Sequence, residues 1–221
     1  MAAPVFHPCQ FGFDTVDIRR VGSVTSGGTS LSGIDDPIET DGGGYWRADF
    51  ADGEAIERSE SLAWRALTEG MDGGSSARTV LLCAERHFQP VLDRESGEPN
   101  SVIPDDAPDK GAAYTIGSAA LRATTATFAG VSELPLEPGN LFSINHSRWG
   151  WRAYRIVSLS GMTATFRPPL RQAVVAGTPV EFDVPRCQMR LAAATSNPTS
   201  IGRFTQCAIS FVEDMRKPPD A

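Results

Sequence analysis

Short runs of alternating apolar and polar residues, broken about every 8–12 residues by turn formers, constrain this chain more than any other feature. In residues 45–50, Trp46, Ala48 and Phe50 fall on one face, and Tyr45, Arg47 and Asp49 on the other. That period of two is what a half-buried strand requires. The same pattern marks residues 78–84, 120–128, 141–146, 151–159, 162–167, 180–184, 187–193 and 204–213. The 21 glycines and 16 prolines of the 221-residue chain supply enough turns to join many short strands. The spacing predicts a mainly β protein, a sandwich or barrel. Residues 147–150 and 158–161 read as hairpin connections, so residues 141–167 predict a three-stranded meander.

One segment departs from this period. In residues 59–69, Leu62, Ala63, Ala66 and Leu67 recur at helical spacing, and Trp64 and Met71 extend the stripe. Ser59 is placed to cap the start, Glu60 suits the positive end of the dipole, and Gly70 can close the end. A single three-turn helix among strands is expected.

Two long stretches lack either period. Residues 25–44 hold six glycines and the acids Asp35, Asp36, Glu39 and Asp41, and read as a protruding hairpin or arm. Residues 93–113 combine Pro99, Pro104 and Pro108 with six acids, and are expected near a domain boundary.

The chemistry is narrowed mostly by exclusion. A formal net charge of -7 disfavours a clamp on phosphate backbones, whose affinity comes from clustered cations. No apolar run reaches the roughly 18–20 residues of a membrane span. The first residues lack the basic start and apolar stretch of a signal peptide, so the chain is expected to be made and used without export. His7, Cys9, Cys83 and His87 could form a zinc set, but their spacing fits no common zinc knuckle and independent core or surface residues are the better reading. Cys83 could pair with His87 or His146 as a nucleophile, yet it sits in the apolar run Val80-Leu81-Leu82-Cys83-Ala84 of a buried strand. Cys187 and Cys207 flank a polar loop, leaving open two buried thiols or a cross-strand disulfide. No complete catalytic set emerges, and neither cofactor nor metal is expected.

Of the 20 basic residues only Lys110 and Lys217 are lysine. GC-rich coding accounts for such a bias. So does interface chemistry, because the guanidinium forks onto carboxylates and stacks on aromatic faces. Arg148, Arg152 and Arg155 lie beside Trp149, Trp151 and Tyr154, where such stacking is expected. Trp149, Trp151 and Tyr154 are also the candidate contacts for a glycan or a partner.

Several strings then occur in order: Gly139-Asn140-Leu141-Phe142-Ser143-Ile144, Gly150-Trp151-Arg152-Ala153-Tyr154-Arg155-Ile156, Phe166-Arg167-Pro168-Pro169-Leu170-Arg171, Gly177-Thr178-Pro179-Val180-Glu181-Phe182-Asp183 and Pro185-Arg186-Cys187-Gln188-Met189-Arg190-Leu191-Ala192. Asp41-Gly42-Gly43-Gly44-Tyr45-Trp46 and Trp64-Arg65-Ala66-Leu67 add to them upstream. Together, over about a quarter of the chain, they resemble the distal tail proteins of long-tailed bacteriophages, of the type carried by phages of alphaproteobacteria.

The resemblance implies a β-barrel belt domain that forms a hexameric ring, with a small OB-like or galectin-like β domain inserted into it. Residues 1–84 and 185–221 would form the belt and residues 85–184 the peripheral domain. It implies a non-enzymatic virion protein at the tail tip, assembled in the host cytoplasm. Its partners would be further copies of itself, the tail tube protein, the hub protein and a peripheral fibre or receptor-binding protein, with no membrane and no sequence-specific nucleic acid. Asp35, Asp36, Tyr45, Trp46 and Arg47 are then the candidate subunit-interface residues, and the acidic balance suits a channel that passes DNA without holding it. The alternatives are a carbohydrate-binding minor tail protein, a head–tail connector and a tail hydrolase.

Overall fold

In the computed structural model, residues 4–22, 24–33, 35–39, 43–82, 90, 112–132, 135–192 and 205–216 are described. Their strands form two six-stranded sheets and a separate two-stranded one, with one α-helix among the described residues. None of the described helices is long and apolar enough to cross a membrane.

The first sheet has the order β1 (Val5–Phe6), β6 (Arg78–Leu81), β13 (Arg186–Leu191), β14 (Thr205–Glu213), β5 (Tyr45–Ala55) and β2 (Thr15–Val21). All its pairings are antiparallel except β1 with β6. Alternation decides which face is buried. In β5, Trp46, Ala48 and Phe50 point inward, and in β14 Cys207, Ile209 and Phe211 do. The core is aromatic: Phe6 lies 5.2 Å from Phe211 and Phe11 lies 5.1 Å from Trp64, between ring centroids. Such tilted and edge-on contacts suit the ring quadrupole.

Trp64 comes from α1 (Arg58–Glu69), which closes this core. The helix begins two residues before the start that a Ser59 cap would give. Its cap is Glu57 rather than Ser59, in a reciprocal box with Glu60, whose carboxylate accepts the Glu57 N–H at 3.1 Å. Gly70 ends it, donating its N–H to the Ala66 carbonyl. The buried stripe is narrower than the sequence suggested: Trp64 and Thr68 are buried, whereas Leu62 is 46% exposed. The inward seam is Trp64, Leu67 and Thr68, with Met71 beyond the helix end, so Leu62, Ala63 and Ala66 face outward.

The second sheet has the order β12 (Thr178–Val180), β7 (Ala112–Ile116), β8 (Thr125–Ser132), β11 (Thr163–Arg167), β10 (Gly150–Ser160) and β9 (Leu141–His146). Just beyond β12, Ser143 and Glu181 exchange backbone hydrogen bonds of 2.8 and 2.9 Å, joining the two edges. The sheet is thereby almost a closed barrel, which removes unpaired edges. Phe142 is its hub, packing against Phe128, Tyr154, Phe166 and Phe182.

The meander β9–β10–β11 forms as expected with one local difference, and two neighbouring segments depart from the expected strands. The second connection is Gly161-Met162 rather than residues 158–161, because Ser158, Leu159 and Ser160 stay paired with β11. Gly161 takes φ +58°, the left-handed conformation that such a tight turn needs. Residues 120–123 do not extend β8, because Arg122 N–H bonds to the Leu170 carbonyl at 2.9 Å and ties them to a neighbouring loop. The strand expected over 180–184 stops at Val180, where the Glu181 carboxylate accepts the N–H groups of Asp183 and Val184 and turns the chain.

The glycine-rich stretch contains a hairpin, β3 (Val24–Thr29) with β4 (Asp35–Glu39), which pairs with neither large sheet. Its described side chains are exposed, Leu31 at the turn fully so. Of residues 93–113, only 112 and 113 are described, at the start of β7.

Candidate functional site

The two sheets meet at a seam built on β9 and β10. These strands are buried on both faces: Phe142, Ile144, Tyr154 and Ile156 point into the barrel, while Leu141 and Ala153 join the core of the first sheet. The wall between the cores therefore carries backbone that must be satisfied from both sides. Trp46 provides one bond, its Nε1–H donating to the Ala153 carbonyl at 2.7 Å.

The polar centre of the seam is Glu213, the last residue of β14. One carboxylate oxygen accepts the Trp46 backbone N–H at 3.2 Å and lies 3.1 Å from Arg171 Nη2. The other accepts Arg171 Nε at 3.3 Å and lies 3.6 Å from Arg152 Nη1. The Glu213 side chain is wholly buried and that of Arg152 is 1% exposed. Two guanidiniums thus share one carboxylate in a dry site. Arg152 Nη1 also donates to the Gln188 carbonyl at 3.2 Å, and Arg171 Nη2 to the Gly44 carbonyl.

A hydrogen-bonded chain runs from this centre into the barrel. The Arg171 backbone N–H donates to Tyr154 Oη at 3.1 Å, and that oxygen lies 2.7 Å from His146 Nε2. The phenol can give one proton and accept two, so the imidazole tautomer sets which of the two groups donates. Burial, then the nearby Arg152, lowers the His146 pKa to about 4, and burial pushes the Tyr154 hydroxyl up.

The expected interface residues part company here. Trp46 is 1% exposed and lies inside the seam with Arg155 over its ring at 5.2 Å, so it is a link within the chain rather than a surface for a second copy. Tyr45 is 36% exposed at the start of β5. Arg47 lies in a charged patch on the outer face of β2 and β5, 3.0 Å from Asp49, which is 2.7 Å from Arg19. Burial by itself would raise the Asp49 carboxyl, but hydrogen bonds from Arg47, Ser210 and Arg19 hold it below its ordinary value. Asp35 and Asp36 occupy β4, and their side chains lie outside the described residues.

The candidate aromatic contacts also divide. Tyr154 is fully buried, its ring against Phe142 and Phe166, and cannot touch a ligand, which corrects that expectation. Trp149 lies in the β9–β10 connection and Trp151 in β10, both partly exposed. Arg148 covers one face of Trp149 at 5.6 Å, and Arg186 covers Trp151 at 5.2 Å. Arginine–aromatic stacking therefore occurs, but Arg152 serves the ion pair and Arg155 stacks on Trp46.

Cys187 and Cys207 are free, buried thiols. In the β13–β14 register Met189 faces Glu213 and Leu191 faces Phe211, so the two cysteines lie far out of register and cannot form a cross-strand bond. Burial pushes their pKa values to about 12 and about 11, which removes the thiolate a nucleophile needs. The Cys9 side chain, Cys83 and His87 lie outside the described residues. Among the described residues no three His, Cys, Asp or Glu side chains converge as metal ligands.

Sequence reasoning passed over Glu213 and Arg171. For Glu213 a signal exists: it continues the inward phase of Cys207, Ile209 and Phe211, and a carboxylate in that phase demands a buried cation. Arg171 lies outside any strand and offers no such phase. No family model matches this sequence, and no curated protein matches it.

Proposed function

We propose that this chain is a structural, non-enzymatic protein of a long-tailed bacteriophage tail tip, a distal tail protein whose copies form a hexameric ring between tail tube and hub. In this reading residues 1–84 and 185–221 are the ring-forming belt and residues 85–184 the peripheral unit. The observation that carries it is the β3–β4 hairpin. A lone two-stranded sheet is at best marginally stable in water, and this one exposes Leu31 and Ile38, the latter by 50%. Such an element gains its stability by docking, and a hairpin that docks on the next copy makes the head-to-tail contact from which rings close. The net charge of -7 suits a conduit for DNA.

Labelling the chain in purified tails and locating it by electron microscopy tests the reading. A sixfold ring at the distal end is expected, and a twelvefold ring at the neck refutes it. A second reading, glycan binding in host adsorption, draws on the partly exposed Trp149 and Trp151. Glycan-array binding by the full chain that is lost in Trp151→Ala would favour it over the ring.

A further inference from the structure

Both ends of the hairpin arm return to one place, and the second sheet holds that place. Val21 ends β2 and Tyr45 begins β5, and the two are directly paired. Arg20 Nη1 donates to the Gly43 carbonyl at 2.6 Å. Arg171, from the loop after β11, donates to the Gly44 carbonyl while its fork holds Glu213.

Space there is as restricted as the bonding. A Cβ on Gly43 would overlap the Pro169 ring, and one on Gly44 would lie 2.6 Å from the Val21 carbonyl oxygen. Both glycines have left-handed φ, +104° and +80°. Two glycines therefore let the arm's root pass between β2 and the 168–171 loop with no room for a side chain. On its other side Arg171 is tied into the barrel, through its backbone N–H to Tyr154 and from there to His146.

From this geometry we infer that Arg171, Pro169, Gly43, Gly44 and Glu213 form a latch that fixes the arm to the second sheet, so that a displacement of either is felt by the other. The arm is set by the barrel's loop as well as by its own strands. A partner that shifts the barrel thereby reorients the arm, and an arm held by a partner stiffens the loop. The latch does not depend on the ring reading, since it lies within one chain.

Hydrogen exchange on the full chain tests it from both sides. Arg171→Ala perturbs the barrel side, and the amides at the arm's root, Val21, Tyr45 and Trp46, should exchange about tenfold faster. Gly43→Ala perturbs the arm side without removing a charge, and the amides of Arg171, His146 and Tyr154 should accelerate by a similar factor of about ten. Amides of the β7–β8 and β1–β6 pairs should accelerate in each variant by no more than its loss of global stability, read from its urea midpoint, accounts for. A change confined to the mutated side overturns the inference, and so does one spread evenly over both sheets. The Gly43→Ala result stands by itself where Arg171→Ala fails to fold.

Discussion

Glu213 collects the bonds that join the two halves of the seam, and the energetics of a buried carboxylate follow from that. Glu213→Gln leaves Arg152 and Arg171 without a counter-charge in a site from which water is excluded. Breaking a buried pair from one side is expected to cost about 3–5 kcal/mol, read as a lower denaturation midpoint in urea. His146 sets a pH dependence. Its pKa falls from 6.5 to about 4 in the folded chain, so the unfolded chain binds the extra proton across that window. Its contribution is complete above about pH 6.5 and is lost as the pH falls towards 4. The size of the drop bounds the effect at roughly 3 kcal/mol. Stability against pH for wild type minus His146→Gln should rise between pH 4 and 6.5; a flat difference would show that His146 is not held neutral.

At the scale of elements, the helix shows how a local signal and a tertiary one divide the work. Its start depends on Glu57 and Glu60, which satisfy each other's backbone N–H groups. Glu60→Ala removes half of the box and is expected to cost about 1 kcal/mol, measurable as a small drop in melting temperature with an unchanged folded spectrum. Its anchoring depends on Trp64, packed against Phe11 and Phe13. Trp64→Ala opens a cavity in an aromatic core and should cost about 3–5 kcal/mol. The hairpin arm contrasts with the helix, having no core of its own. Replacing the exposed Leu31 by Ser should leave the monomer's unfolding free energy, read from urea denaturation, within about 0.5 kcal/mol of wild type. If the arm docks on a neighbour, the same change weakens assembly, measured by light scattering after size exclusion.

For the whole molecule, the wall of β9 and β10 is shared by two cores, so neither can lose its packing without exposing the other. The sheets are expected to unfold in one transition, with calorimetric and van't Hoff enthalpies equal. Two resolved transitions would show that the seam does not couple them. Much of this architecture was legible in the chain. Alternation located most of the strands from Tyr45 onward, though not β7 and only the end of β12, along with the 141–167 meander and the break into a single helix, because side-chain period is a local property of the backbone. Glycine and proline marked the turns, and the glycine-rich acidic stretch marked the hairpin. The seam was less legible. Trp46 and Tyr154 carry the composition of a surface contact, yet both are interior, since a strand's period says which face a residue takes and not what covers that face. Glu213 sits 167 residues from the Trp46 N–H it accepts and 42 from Arg171. The sequence by itself determined the elements, since propensity, period and turn chemistry act over a few residues. Only the tertiary structure decided which strands share a wall, which charges are buried together and where the arm is held, because those depend on contacts between segments distant along the chain.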